Sequence, residues 1–162
     1  MEIRDDGSGC FVRLTPIGYQ YKNPSGDPYD DNWLIIKGRV QDRHQAWTFQ
    51  DPALLVDEAH SIARWLRAAA AGHGTQMEVG ADGLPLPSLQ MIEPNIGLGL
   101  VEFTPTAVTV RFFLSLESAP PSSVESVEVD MEYSLDLTTA PGNLERAAKE
   151  WEDQLAQFPY RG

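Results

Sequence analysis

Hydrophobic and polar residues alternate along six stretches of the chain, which is the pattern of β-strands with one buried face and one solvated face. The six stretches are 10–14, 33–41, 45–50, 89–103, 108–116 and 127–137. A polar turn at 42–44 joins the second stretch to the third and predicts a β-hairpin at 33–50. The last stretch has the sharpest alternation, because apolar residues occupy every second position from Val127 to Leu137 and mostly acidic residues lie between them.

Apolar residues recur at helical spacing in two other stretches. The first set is Leu55, Ala59, Ile62, Leu66 and Ala69, and the second is Leu144, Ala148, Trp151, Leu155 and Phe158. Asp51 suits an N-cap and Pro52 suits the first helical position, so the first set predicts a helix at 52–71. The second set predicts a helix at 141–157.

The order of these elements indicates an α+β fold. The strands follow one another in runs instead of alternating singly with helices, which favours antiparallel pairing. We therefore expect a single antiparallel meandering sheet of about six strands with two helices packed on it. The whole chain, 1–162, is expected to form a single domain. Residues 1–9 would be a loose N-terminal tail, and 72–88 a connector rich in glycine and proline in which Asp82-Gly83 suits the turn of a small hairpin.

The charge balance restricts the classes of partner. The 162 residues include 24 acidic and 12 basic ones, for a formal net charge of −12. Binding to nucleic acid or to an anionic membrane requires a basic surface, so the charge argues against both. No apolar run approaches the roughly 20 residues of a membrane-spanning helix. The start of the chain is polar and acidic, unlike a secretory signal, and we expect a cytoplasmic protein.

The sequence contains no recognisable catalytic or cofactor motif. The three histidines lack metal-ligand spacing, and the single cysteine, Cys10, lies in a strand pattern typical of a buried thiol. Glycine-rich phosphate loops and serine-nucleophile motifs are also missing. We therefore expect no metal, no cofactor and no enzymatic activity.

Two glutamates are the best candidates for acid–base chemistry. Glu93 precedes Pro94 at a break in the fourth strand pattern, and Glu117 ends the fifth. A pair of carboxylates roughly 5–9 Å apart in a cleft could hydrolyse a substrate. In the alternative interpretation, each carboxylate bonds to backbone or to an arginine at the end of a sheet.

Acidic residues are concentrated late in the chain. Between Arg111 and Arg146 there are seven acidic residues and no basic one. Such a segment is either a solvated strand face or a surface for a basic partner, and charge alone favours neither. The partner interpretation predicts a binding surface on one strand face and in an earlier polar loop. Its residues are Glu128, Asp130, Glu132 and Asp136 on the strand, and Asp27, Asp30 and Asp31 in the loop.

Several short segments together suggest a family. They are 29–34, 47–52, 65–66, 93–95, 112–117, 120–121, Leu144, 147–148, Leu155, 158–159 and Arg161. In their order and spacing the chain resembles the WapI-like immunity proteins of bacterial toxin systems. The resemblance implies a small cytoplasmic antidote that binds a polymorphic toxin domain, often a nuclease, and occludes it without catalytic residues of its own.

The leading hypothesis is therefore a small acidic immunity protein that binds a basic toxin domain. One alternative is a small hydrolase or lyase that uses Glu93 and Glu117. Another is a structural or assembly subunit that pairs through a sheet edge. A deep cleft that holds both glutamates would favour the enzyme. The sequence leaves the oligomeric state open.

Overall fold

The computed structural model of the protein describes residues 1–121 and 133–162. Its strands and helices are β1 (Glu2–Arg4), β2 (Phe11–Tyr19), β3 (Trp33–Gln41), β4 (Ala46–Leu55), α1 (Val56–Ala70), β5 (Glu78–Val79), β6 (Pro85–Leu86), β7 (Ile96–Phe103), β8 (Val108–Leu114), β9 (Tyr133–Thr139) and α2 (Pro141–Leu155). Short 3-10 helices lie at Asp30–Asn32 and Leu116–Ser118. Within residues 1–121 and 133–162, no helix is both long enough and apolar enough to cross a bilayer.

The strands form three antiparallel sheets, so the prediction of a single sheet of about six strands is wrong. The first sheet has the order β1-β2-β3-β4, the small second sheet is β5-β6, and the third is β7-β8-β9. The described strands after α1 do not pair with β4 at the edge of the first sheet. The third sheet instead lies beside β1, where the backbone N–H of Asp6 donates to the carbonyl of Thr138 at 2.9 Å.

The two large sheets and both helices enclose one hydrophobic core. Leu14 and Leu34 enter it from the first sheet, Phe112 from the third, and Leu66 and Trp151 from the helices, all fully buried. These contributions confirm the α+β class, antiparallel pairing and two packed helices, as the alternation and the helical stripes predict.

Helix α1 begins later than predicted because the residues expected to start it belong to a strand. Asp51 pairs with Ile36, and Pro52 pairs with Ile35, so both lie within β4. A proline is tolerated there because β4 is an edge strand, which does not use every N–H in a ladder. The carboxylate of Glu58 accepts the backbone N–H of Leu55 at 2.8 Å, and this bond caps the helix in place of Asp51.

Of three other predicted segments, one differs from the structure, one contains the small hairpin that Asp82-Gly83 predicts, and one lies mostly outside the described residues. Residues 1–9, expected to be loose, contain β1, and Met1 and Ile3 are buried. The connector 72–88 holds the β5–β6 hairpin, with Gly83 at φ +83° in its turn. Most of the predicted strand at 127–137 lies outside the described residues, which resume at Tyr133 in β9.

Candidate functional site

The acidic strand face is described only at its C-terminal end. Glu128, Asp130 and Glu132 lie outside the described residues. Asp136 lies on β9 opposite Arg111 of β8. The guanidinium donates to both carboxylate oxygens, from Nε at 2.6 Å and from Nη2 at 2.8 Å, and this bonding raises the pKa of Arg111. The charge of Asp136 is therefore compensated within the sheet.

The polar loop uses two of its three aspartates to hold its own backbone. Asp31 is only 3% exposed, and its carboxylate accepts the N–H groups of Ser25 at 2.6 Å and Gly26 at 2.8 Å. These bonds, the Ser25 N–H foremost, lower the pKa of Asp31. Asp27 accepts the N–H of Tyr29 at 2.8 Å. The exposed Asp30 makes no such side-chain bond and points to a neighbouring groove.

This groove, of about 500 Å³, lies where the two large sheets meet. It is lined by Gln20, Tyr21, Tyr29, Asp30, Trp33, Asp51, Pro52, Glu93, Asn95, Leu116 and Glu117, and we call it the acidic groove. Its four carboxylates, here called the groove carboxylates, are Asp30, Asp51, Glu93 and Glu117. The structure thus brings one residue of the predicted partner surface together with both predicted acid–base glutamates.

Antiparallel pairing explains why distant parts of the chain meet in the acidic groove. The first residue of β7, Ile96, pairs with the last residue of β8, Leu114. The segment before β7 and the segment after β8 must therefore lie at the same end of the sheet, which places Glu93 near Glu117.

Asn95 joins that end of the third sheet to the first sheet. Its side-chain Nδ2 donates to the Asp51 carboxylate at 3.1 Å. Its backbone carbonyl accepts the N–H of Ser115 at 3.2 Å and the hydroxyl of Ser118. The carbonyl of Ser118 in turn accepts the indole N–H of Trp47, on β4, at 2.9 Å. These bonds fix the 3-10 turn that carries Glu117.

Glu58 braces the other side of the groove. One of its carboxylate oxygens caps α1, and the other accepts the backbone N–H of Ile92 at 2.6 Å. Since Ile92 directly precedes Glu93, the start of α1 holds this part of the groove wall in place.

The groove carboxylates have no internal cation. Within the described parts of the chain, no lysine, arginine or histidine forms an ion pair with any of the four. Burial raises the pKa of Asp51, and the negative charges of Glu117 and Glu93 raise it further, against the opposing effect of the bond from Asn95. The groove is therefore a region of uncompensated negative charge.

Apart from the four carboxylates and the amides of Gln20 and Asn95, the lining is apolar or aromatic. Tyr21 is 46% exposed, Tyr29 is 50% exposed, and Leu116 is 51% exposed. The rings of Tyr29 and Trp33 pack edge to face with centroids 5.6 Å apart. Leu116 has φ +52°, in the left-handed region that a leucine rarely adopts, so its exposure at the rim comes with backbone strain.

The acidic groove is better suited to bind a cationic side chain than to coordinate a metal ion. Among the described residues, no three histidine, cysteine or acidic side chains are placed to hold a metal ion. Glu93 and Glu117 are both exposed in an open groove, which lacks the enclosure that strengthens acid–base chemistry. A carboxylate-rich groove with aromatic walls matches a cationic side chain, whose stem is apolar and whose head is charged.

The sequence pattern does not identify Asp51, Asn95 or Leu116 as residues of the site. The usable signal was the hairpin formed by the fourth and fifth strand patterns, because antiparallel neighbours bring residues 93–95 and 116–117 to one end. The local pattern around Asp51 predicts a helix cap, and nothing in it indicates a groove residue.

A family comparison covers nearly the whole chain. The model of the "Immunity protein WapI-like family" matches residues 2–159. A search of curated proteins and a search of solved structures found no match. The matched segment includes all the residues of the acidic groove. The chain belongs to the WapI-like family of immunity proteins.

Proposed function

We propose that the protein binds a basic toxin domain, of nuclease type, and neutralises it by covering its active surface. Membership in an immunity protein family supports a toxin partner. A nuclease must present positive charge to hold phosphate, and a chain with a net charge of −12 is complementary to it. The single observation that carries the proposal is the set of groove carboxylates, which have no ion-pair partner in the described residues.

The partner surface in this proposal extends beyond the groove. It includes Glu128, Asp130, Glu132 and Asp136, which the sequence pattern predicts on one face of a strand. It also includes Asp27 and Asp30 of the polar loop, while Asp31 holds that loop in shape. Acidic side chains on such a surface steer a basic partner into contact and raise the association rate at low salt. We place the protein in the cytoplasm, where a nuclease would otherwise reach nucleic acid.

Charge reversal tests the proposal. The probe is the toxin domain encoded beside this gene, which is co-expressed with the protein and also titrated against it. Glu128→Lys, Asp130→Lys and Glu132→Lys together should lower the association rate at least tenfold at low salt and weaken rescue of growth. The control, Glu78→Lys with Asp57→Lys and Glu102→Lys, makes the same charge change at exposed sites elsewhere and should leave both unchanged. Failure of the wild-type protein to bind or rescue would overturn the proposal.

One observation favours a second function. Glu93 and Glu117 line the same groove, as an acid–base pair for hydrolysis would require. A screen of the purified protein against ester, phosphate and glycoside substrates tests this alternative. Turnover that Glu93→Gln or Glu117→Gln abolishes would establish the enzyme, whereas the immunity function predicts no turnover in any variant.

A further inference from the structure

The acidic groove combines two kinds of surface that one cationic side chain can use together. Asp51 and Glu117 contribute carboxylates to its lining, whereas Leu116, Tyr21 and Tyr29 contribute side chains that are about half exposed. Exposed aromatic and aliphatic side chains beside uncompensated carboxylates are unfavourable in the free protein. They are favourable in a complex that covers the apolar area and neutralises the charge.

A second feature of the groove also indicates an absent polar partner. Asn95 is 1% exposed, and its Oδ1 has no hydrogen-bond partner, although the other end of the same amide bonds to Asp51. A buried acceptor without a donor is costly, and native structures contain few of them. Oδ1 is the one such side-chain atom in the described parts of the chain, and it belongs to a residue that lines the groove.

From these features, and resting on the proposed function, we infer that the acidic groove is the receptor for one arginine side chain of the partner protein. The guanidinium binds between the carboxylates of Asp51 and Glu117 and lies beside the amide of Asn95. The arginine stem covers Leu116 and the tyrosine rings. The inserted arginine then supplies positive charge to the groove carboxylates and an N–H donor near the unpartnered oxygen.

Arginine fits better than lysine for two reasons. A guanidinium presents five N–H donors in a plane and can bond two carboxylates at once, and its flat face stacks on aromatic rings. The chain itself places a guanidinium over an aromatic ring beside the groove, where Cζ of Arg161 lies 3.3 Å from the ring centroid of Tyr19. The same guanidinium donates to the carbonyl of Tyr21 at 2.9 Å. Arg161 is thus already engaged outside the groove, and the influences on Asp51 include no cation.

A titration with small probes tests the receptor directly. The probes are N-acetyl-arginine amide, the lysine equivalent and the neutral citrulline equivalent. Binding is followed by the NMR signals of the Asn95 side-chain amide and the Trp33 indole N–H. We expect saturable shifts with the arginine probe in the millimolar range, several-fold weaker binding of lysine, and no shift with citrulline. Equal shifts with arginine and citrulline would overturn the inference, since the charge would then play no part.

Substitutions of the groove carboxylates test whether the arginine probe binds in the acidic groove. Asp51→Asn and Glu117→Gln should each weaken binding of the arginine probe at least tenfold. Glu102→Gln, an exposed carboxylate outside the groove, removes the same charge and should leave it unchanged. The amide spectra establish that each variant is folded. An unchanged affinity in folded Asp51→Asn and Glu117→Gln would place the probe elsewhere and contradict the inference.

The toxin assay separates this inference from the proposed function. If groove variants bind the probe poorly and also lose affinity for the toxin domain, the arginine receptor and the immunity function are both supported. If they neutralise the toxin as well as the wild type does, the immunity function stands and the arginine receptor is refuted. If the wild-type protein binds the probe but not the toxin domain, the proposed function fails, and the inference fails with it as a statement about a toxin arginine.

Discussion

Two groups of carboxylates in this protein differ in what surrounds them. Asp5, Asp31 and Asp42, here called the braced aspartates, accept hydrogen bonds from the backbone of their own loops, and the pKa of each is lowered. The groove carboxylates have no ion-pair partner in the described residues, and the pKa of Asp51 is raised. The fold stabilises the ionised form of the braced aspartates, whereas it disfavours the ionised form of Asp51.

This difference distinguishes carboxylates that hold the fold together from carboxylates that are free to bind a partner. A carboxylate that bonds several N–H groups makes its loop rigid and has little left to offer a partner. A carboxylate that burial and like charges disfavour gains by binding a cation from outside. The total charge of −12 therefore says little about where a partner binds until the braced aspartates are separated from the rest.

The largest expected effect comes from removing a braced aspartate. Asp42 is 7% exposed and accepts the N–H groups of His44 and Gln45, each at 2.6 Å, and the hydroxyl of Tyr133. Asp42→Ala leaves these donors unpaired and should reduce the free energy of unfolding by about 2–4 kcal/mol. Urea denaturation at pH 7 measures the loss. Asp153→Ala, an exposed control on α2, should change stability by less than about 0.5 kcal/mol. A similar small loss for Asp42→Ala would erase the distinction between the two groups.

Acid unfolding should reveal the second braced aspartate. Burial acts to raise the pKa of Asp5, but bonds from Ser8, Thr138 and Gly7 outweigh it and lower the pKa to about 2. Because the folded-state pKa is depressed, Asp5 stabilises the fold above the unfolded value near 4, and this contribution is lost as pH falls towards 2. The wild type should exceed Asp5→Asn in unfolding free energy by roughly 1 kcal/mol at pH 6, after allowance for solvent screening. A gap that persists unchanged at pH 2 would contradict this account.

For Asp51 in the acidic groove, we expect an effect on the free energy of unfolding that is opposite in sign to that of Asp5. The raised folded-state pKa of Asp51 means that the folded protein holds this proton more tightly than the unfolded chain. Its contribution to stability is therefore present below pH 4 and lost as pH rises through the folded-state pKa. Asp51→Asn removes the disfavoured charge and keeps a carbonyl oxygen that can accept the N–H of Asn95 Nδ2, so it should increase the free energy of unfolding at pH 7 by up to about 1 kcal/mol. Urea denaturation at pH 7 and at pH 3.5 measures the difference, which should vanish at the lower pH. A destabilised variant at pH 7 would place Asp51 among the braced aspartates.

The smallest effect is expected at the exposed ion pair between Arg111 and Asp136. Cross-strand pairs of this kind contribute only about 0.2–1 kcal/mol, because water screens them. Asp136→Asn should therefore destabilise the protein by less than about 1 kcal/mol, and by less still in 1 M salt. A double-mutant cycle with Arg111→Gln measures the coupling. A coupling above about 2 kcal/mol would mean that Asp136 belongs with the braced aspartates.

Some of the fold and part of the site follow from sequence patterns. The stripes of Leu66 and Leu155 predict both helices because a 3.6-residue period has one interpretation over four turns. The number of sheets does not follow, since alternation identifies strands but not which edges remain unpaired. Glu93 and Glu117 are identifiable because each adjoins a strand end.

Other groove residues depend on contacts between distant segments. Asp51-Pro52 before an apolar stripe has the local signature of a helix start, and only the edge position of β4 lets the strand continue through it. The unpartnered oxygen of Asn95 is likewise a property of packing, because an asparagine in the sequence carries no sign of whether its amide is satisfied.

The bond between Asn95 and Asp51 also has a thermodynamic consequence. Asp51 lies in the first sheet and Asn95 directly precedes β7 of the third, so the groove exists only when both sheets are assembled. A ligand held there binds the native chain and not the unfolded one, and its binding free energy adds to the stability of the whole protein. At a ligand concentration about 100 times the Kd, the gain is about 2.7 kcal/mol. The free protein would then be the form that proteases degrade first, and its lifetime in the cell would rise with the amount of its partner.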